Sequence, residues 1–271
     1  AIFFFVALFF VPESPRWFIE KNKIGKAKRM LARINKTTVD EEIREIENSL
    51  FKKEGSWKAV FRREVSLLLV CGILLALLSQ FTGINAIIYY GPAIMERAGF
   101  KFNDAMGGQV IIGIVNVVAT LFAMWKIDSY GRKKLMMAGI SGMFISLLLV
   151  AVLFSSGFSS GALFIIPLVG FIIFFALGYG PVVWVILSEI YPSAIRGPAM
   201  SVATLALWVG TAVIGQVVPW MLEVFTPAGT FFIFALFCTP VPFILRKLPE
   251  TKGLSLERIE SSMVNTNRRI Y

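Results

Sequence analysis

The sequence predicts an all-α integral membrane protein: six membrane-crossing helices preceded by a cytoplasmic helical segment. Two observations carry that prediction. Hydrophobic residues make up 56% of the 271 residues and charged residues only 16%, with a mean hydropathy of +0.73. A soluble domain carries about 25% charged residues, because its surface must face water. The charges are also confined. The stretches 65–95, 105–125, 135–188, 197–222 and 224–245 contain none, and none of them alternates polar and apolar residues with the period of a membrane β-barrel. Lipid is the solvent such a chain requires, which excludes a soluble enzyme, a nucleic-acid-binding domain and a secreted disulfide scaffold.

The elements follow in chain order. Residues 1–11 are apolar but shorter than the about 20 residues that cross a bilayer. The chain opens at Ala1 with neither the basic region nor the cleavage site of a signal peptide. This segment reads as the end of a membrane helix that begins earlier, and the chain as a fragment. In 12–64, Pro12-Glu13-Ser14-Pro15-Arg16-Trp17 forms a turn and a helix start, with Pro15 where a first-turn proline is tolerated. Ala27, Met30, Leu31 and Ile34 then recur at helical spacing, as do Ile43, Ile46 and Leu50. Short amphipathic helices lying under the membrane fit that stripe. The charge-free run 135–188 is too long for one span and divides at the Ser- and Gly-rich turn 155–161. The bundle 65–246 thus holds six spans, near 65–95, 105–127, 133–155, 162–188, 197–222 and 228–246. Residues 247–271 form a cytoplasmic tail.

Orientation is read from Lys and Arg in the connections. Twenty-five of the 27 lie in 12–64, 126–134, 188–197 and 246–271, and only Arg97 and Lys101 lie on the other side. Residues 12–64 and the C-terminus are therefore expected in the cytoplasm. The net charge of +10 is topological and not a nucleic-acid patch. The chain has no histidine, which removes His-ligated metals, His-based triads and a His proton relay. Cys71 and Cys238 lie in apolar runs and read as buried free thiols. No cofactor or metal is called for. Asn35-Lys36-Thr37 matches a glycosylation sequon, but its cytoplasmic placement leaves it unmodified.

A polar side chain at membrane depth needs a reason. In the first span Gln80 lies about 22 Å from the cytoplasmic start at 1.5 Å per residue. Gly83 weakens the helix, and Asn85 and Tyr89 sit one turn apart on one face. A glycine-weakened helix with amides at mid-depth suits a substrate site, and interhelical hydrogen bonding suits it equally. Asn116 is a lone amide in the second span. Gly178-Tyr179-Gly180-Pro181 permits a bend in the fourth, with Trp184 beyond it, and Trp208 lies within the fifth. No charge occurs at mid-membrane. Asp128, Glu189 and Arg196 stand near cytoplasmic ends and Glu223 at the opposite face.

Several motifs in order resemble the C-terminal half of a sugar porter of the major facilitator superfamily, and the resemblance covers the whole chain. Residues 12–17 resemble the family's PESPRW. Asp128-Ser129-Tyr130-Gly131-Arg132-Lys133-Lys134 resembles its D-x-x-G-R-R/K loop, Glu189 and Arg196 its E…R pair, and Pro249-Glu250-Thr251-Lys252-Gly253 its closing PETKG. The resemblance implies two six-helix bundles with alternating access, of which this chain supplies helices seven to twelve and the intracellular helical domain.

By position it also implies roles. Gln80, Asn85, Tyr89 and Asn116 would exchange hydrogen bonds with sugar hydroxyls, while Trp184 and Trp208 would pack on the ring. Asp128, Arg132, Glu189 and Arg196 would form cytoplasmic gate salt bridges. Ser79 stands where the family often has a first glutamine, Leu207 where an amide commonly precedes the tryptophan, and Ser129 where a basic residue is common. Hexoses, pentoses, inositols and other polyols all stay open as substrates.

The leading reading is transport of a monosaccharide or polyol by proton symport, with the coupling residue and H+ site in an N-terminal six-helix half. The alternatives are uncoupled facilitated diffusion, a sugar sensor on the same scaffold and a half-transporter working as a dimer. The bilayer is the other implied partner, in a cell membrane, with the short loops leaning toward a bacterial inner membrane. A membrane enzyme is disfavoured, because no nucleophile–base pair or metal-ligand set occurs.

Overall fold

The computed structural model describes residues 5–6, 9–34, 39–51, 60–61, 63–157, 161–192 and 195–248. The sequon at Asn35, the closing motif at Pro249 and most of the tail lie outside them. Among the described residues the secondary structure is entirely helical. The chain divides into two compact units, Ala1–Ser56 with Ser193–Ile195, and Trp57–Pro192 with Arg196–Tyr271.

The first unit holds α1 (Pro15–Glu20), α2 (Ile24–Ile34) and α3 (Val39–Phe51). Ser14 caps α1 by accepting the Trp17 amide at 3.2 Å, and Pro15 occupies the first turn, where its missing N–H costs nothing. The apolar stripes meet as a small core of Ile19, Ala27, Leu31, Ile43 and Ile46, with Phe18 and Val39 packed against it. Lys28 and Asp40 pair at 2.7 Å between α2 and α3, both well exposed, so the pair adds little.

The second unit contains α4 (Arg63–Phe81), α5 (Ile84–Arg97), α6 (Phe102–Tyr130), α7 (Arg132–Ser155), α8 (Gly161–Phe174), a π-helical turn (Phe175–Tyr179), α9 (Gly180–Ile190), α10 (Arg196–Val224), α11 (Thr226–Cys238) and α12 (Pro240–Lys247). They make six membrane-spanning helices: Val65–Arg97, Phe102–Tyr130, Arg132–Ser155, Leu163–Ile190, Arg196–Val224 and Thr226–Lys247. Spans one, four and six are each broken and resumed.

Apolar side chains lose little by facing lipid, so close backbone approach and interhelical hydrogen bonds hold the spans together. Span three shows this at two glycines. A Cβ on Gly139 would strike the backbone of Gly178 in the π turn, and one on Gly142 would strike the Phe174 ring. Spans three, four and six also share an aromatic cluster. Phe154 lies 4.5 Å from Phe164 and stacks on Phe231 at 6.0 Å between centroids.

Proline inside a membrane helix leaves the carbonyl four residues earlier without its usual donor. In a hydrocarbon solvent that carbonyl must find another. Pro240 does this to Leu236, whose oxygen accepts the Thr239 hydroxyl at 2.8 Å. Pro219 does it to Gly215, whose oxygen accepts the Tyr90 hydroxyl from span one at 2.6 Å. The sixth span thus heals itself, whereas the fifth is completed by a neighbour.

Candidate functional site

Span one is interrupted in its middle. Helix α4 ends at Phe81, and Gly83 takes the left-handed conformation (φ +89°, ψ +16°) before α5 begins. Glycine meets two demands there. The positive φ strains any other L-residue, and a Cβ would overlap the Phe234 ring of span six. The polar residues around the break pair with one another. Ser79 Oγ donates to the Ala76 carbonyl at 2.6 Å and accepts from Gln80 Nε2 at 2.9 Å; Asn85 Nδ2 crosses the break to Gln80 Oε1 at 2.6 Å. Thr82 Oγ1 returns to the Ser79 carbonyl at 2.9 Å. Ser79, Gln80 and Thr82 are buried and Asn85 is half-buried. The chain of amides therefore runs from the interior toward the surface and ends on Asn85, whose Oδ1 has no hydrogen-bond partner among the described residues.

Ser79, which stands where the resemblance implies a glutamine, is the acceptor that orients the Gln80 amide. Span five reaches this place through Gly210. A Cβ there would sit in ordinary-to-tight contact with Gln80 Cβ at 3.3 Å and Leu77 at 3.4 Å. Trp208 lies two residues earlier on the same helix and is exposed, while Leu207 turns inward. Tyr89, one turn beyond Asn85, is exposed on the same face of α5, as is Trp184 on α9, and Asn116 is half-buried on α6. The structure thus joins Gln80 to Asn85 directly and brings span five alongside. No hydrogen bond among the described residues ties Tyr89, Asn116, Trp184 or Trp208 to that pair.

The bend before Trp184 is a π turn, Phe175–Tyr179, followed by Gly180-Pro181. Tyr179 is fully buried and donates to the Leu75 carbonyl of α4 at 2.8 Å, so the bend in span four is tied to span one just below the polar chain.

The acidic and basic residues near the span ends form a separate cluster. Arg132 Nη2 lies 2.9 Å from Asp128 and 3.1 Å from Glu189. The two contacts are unequal, since the Asp128 side chain is 81% exposed whereas those of Arg132 and Glu189 are 13% and 15% exposed. Arg196 donates to the Tyr191 carbonyl at 3.2 Å. Tyr191 fills the space that Gly72 leaves by lacking a Cβ. Burial, with the nearby Cys71 thiol adding to it, pushes the Tyr191 phenol well above its usual range and keeps it neutral.

Sequence reasoning passed over several side chains that act on distant backbone carbonyls. Tyr90 donates to Gly215, Tyr179 to Leu75 and Arg97 to Leu222 at 2.7 Å, while Gln109 donates to Ile88 at 3.0 Å. For Gln109 and Tyr90 the readable signal was a proline. Pro92 and Pro219 each name, four residues back, a carbonyl that needs a partner. Among the described residues no group of three or more Asp, Glu, Cys or His could hold a metal.

Six spans, a mid-span break lined by amides and an Arg–Glu pair at the span ends are now in place. Residues 1–263 match the family described as "Sugar (and other) transporter". The chain belongs to this sugar transporter family. Within the sugar transporters it is similar to the arabinose-proton symporter of Bacillus subtilis (strain 168), with 42% identity over 265 residues, covering 96% of this chain and 57% of that protein. It is 35% identical to the glucose transporter GlcP of Staphylococcus epidermidis (strain ATCC 12228 / FDA PCI 1200), covering 96% and 59% respectively. Among solved structures it resembles the proton:xylose symporter XylE bound to 6-bromo-6-deoxy-D-glucose, with a TM-score of 0.81 and 30% identity over 97% of this chain and 56% of that one. The chain thus spans a little over half the length of these sugar transporters and corresponds to the C-terminal half of the major facilitator fold. The family is one of transporters and not of catalytic enzymes.

Proposed function

We propose that this protein carries a monosaccharide or polyol across a cell membrane by alternating access, with this chain as the bundle that binds the sugar. The observation that carries the reading is the Gln80–Asn85 amide pair across the Gly83 break. An amide offers both a donor and an acceptor, which is what a hydroxyl needs. Here the inner amide is locked by Ser79, and the outer one keeps an acceptor for a ligand. Tyr89 and Asn116 add polar groups, and the exposed Trp184 and Trp208 offer flat apolar faces for the carbon side of a sugar ring. The relatives named above are transporters of the pentoses arabinose and xylose and of the hexose glucose, which supports the class and leaves the individual sugar open.

The other half of the cycle is assigned to the cluster at the span ends. Arg132 and Glu189, with Asp128 paired to Arg132 and Arg196 at the start of α10, act as a gate whose ion pairs break when the bundle opens on that side. The distribution of Lys and Arg supports placing that side, residues 12–64 and the C-terminus in the cytoplasm. Proton symport is the favoured mode, because the arabinose and xylose relatives are proton symporters. The partner is an N-terminal six-helix half, and the titrating group belongs there, because this chain's spans hold no charge at mid-depth.

The test is uptake by membranes containing the complete protein. Asn85→Ala and Gln80→Ala are each expected to raise KM by about two- to tenfold, the range set by the loss of one neutral hydrogen bond, at normal expression. Unchanged uptake in both variants removes the site assignment. Accumulation of sugar against its gradient under an inward proton gradient supports symport, and simple equilibration of the sugar refutes it.

A further inference from the structure

We infer that Gln109 is a positioning residue, which sets the half of span one beyond the Gly83 break by capping the Ile88 carbonyl that Pro92 leaves without a donor. Three observations converge on one side of α5. Pro92 stands four residues after Ile88 and has no N–H to give it. Gln109 Nε2, from span two, donates to that oxygen at 3.0 Å. Gly91 stands one turn from Ile88, and a Cβ there would overlap Gln109 Oε1, so only glycine lets the carboxamide lie against the helix.

The orientation of the amide is forced by chemistry. A carbonyl accepts and cannot donate, so Nε2 must face Ile88, which leaves Oε1 buried against Gly91 without a partner. The device resembles the Tyr90 cap on Gly215, which answers Pro219 in span five. Tyr90 and Gln109 therefore link spans two, one and five in a row through two proline-freed carbonyls. Asn85 and Tyr89 lie on α5 within one turn of Ile88, so the angle and rotation of this half-helix decide where the outer amide and the phenol point. Gln109 acts on the substrate through them.

This assignment rests on the transport reading for its effect on sugar, and the experiment separates the two. Hydrogen exchange over residues 84–97 and uptake kinetics are measured on the complete protein carrying Gln109→Leu, Pro92→Ala, both together, or Gly91→Ala. Gln109→Leu keeps the volume and removes the donor. It is expected to speed exchange in 84–97 and to raise KM by about fivefold with Vmax nearly unchanged, the range for one orphaned carbonyl. Pro92→Ala supplies an N–H at position 92 and returns the Leu variant to wild-type exchange and KM. Gly91→Ala, which displaces the amide from the other side, reproduces the Leu phenotype should Gln109→Leu itself fold poorly. Wild-type exchange and KM in Gln109→Leu, or a loss that Pro92→Ala does not repair, overturns the assignment. Wild-type membranes that take up no monosaccharide or polyol, with the exchange pattern present, refute transport and leave the cap standing.

Discussion

Spans one and two are equally fit for a membrane by length and composition, yet 67% of the apolar window of span one is buried inside the protein and only 22% of that of span two. Span one is held by span five along its length and by span six at Gly83. Span two turns Val110, Ile114, Val117, Val118, Leu121 and Trp125 outward. The difference teaches that hydropathy selects the solvent and not the neighbour. Both spans carry glycines and amides, and what distinguishes the buried one is that its own meet neighbouring helices, as Gly72, Gly83, Tyr90 and Arg97 do, whereas Gly113 of span two has open space around it.

The sharpest way to break the comparison is to place a side chain at each helix's mid-span glycine. Gly83→Val adds left-handed strain of about 1–3 kcal/mol and overpacking against Phe234 of about 1–3 kcal/mol. It is expected to abolish recovery of monodisperse protein in detergent. Gly113 in span two has open space around it, so Gly113→Ala should leave recovery intact and raise the melting temperature slightly, in line with helix propensity. Equal damage from both would mean that burial in this unit does not govern tolerance.

Next in size is the unequal ion pair. Arg132→Met removes the ion pair from a largely covered Glu189 carboxylate and should cost about 1.5–3 kcal/mol. Asp128→Asn removes only an exposed contact, worth about 0–1 kcal/mol. Thermal unfolding in detergent ranks the two, and a larger loss from Asp128→Asn contradicts the burial argument.

Tyr90→Phe should cost about 1 kcal/mol by leaving the Gly215 carbonyl without its side-chain donor. Combined with Pro219→Ala, which restores a main-chain donor, the cost should fall. Additive losses would show that the hydroxyl does something other than cap the bend.

The smallest effect is on pH. Tyr191 has its folded pKa raised by burial, so its contribution is fully present below the unfolded value of about 10. It is lost as pH rises from there through the folded value. Stability should therefore fall less steeply above pH 10 in Tyr191→Phe than in the native protein. Parallel curves would remove Tyr191 as a titrating group.

The extent to which this molecule could be read in advance differs by element. The six spans were legible because each is a run long enough to cross a bilayer, bounded by charge or, between the third and fourth, by a Ser- and Gly-rich turn, and lipid leaves little other choice for an apolar chain. Pro15 and the stripes of the first unit were legible for similar local reasons, a fixed φ and a helical period. At the candidate site, Gln80, Asn85 and Gly83 stood out as polar or weak points in a helix. Their mutual pairing did not, since the left-handed turn at Gly83 decides that Asn85 reaches back to Gln80 instead of outward. Gln109 and Tyr90 were the least legible. Each is one polar residue near a span end, ordinary in composition, and its role exists only through a carbonyl on another helix.

Composition and charge placement by themselves determined the solvent and the number of spans, because those follow from transfer free energies summed residue by residue, and the family was carried by motifs on short stretches of chain. Only the tertiary structure decided which helix is interior and which carbonyl takes which side chain. It also decided that Ser79, and not a second glutamine, orients the buried amide. Those outcomes depend on contacts between residues as far apart as Tyr90 and Gly215, and in a membrane they turn on single hydrogen bonds that no local pattern encodes.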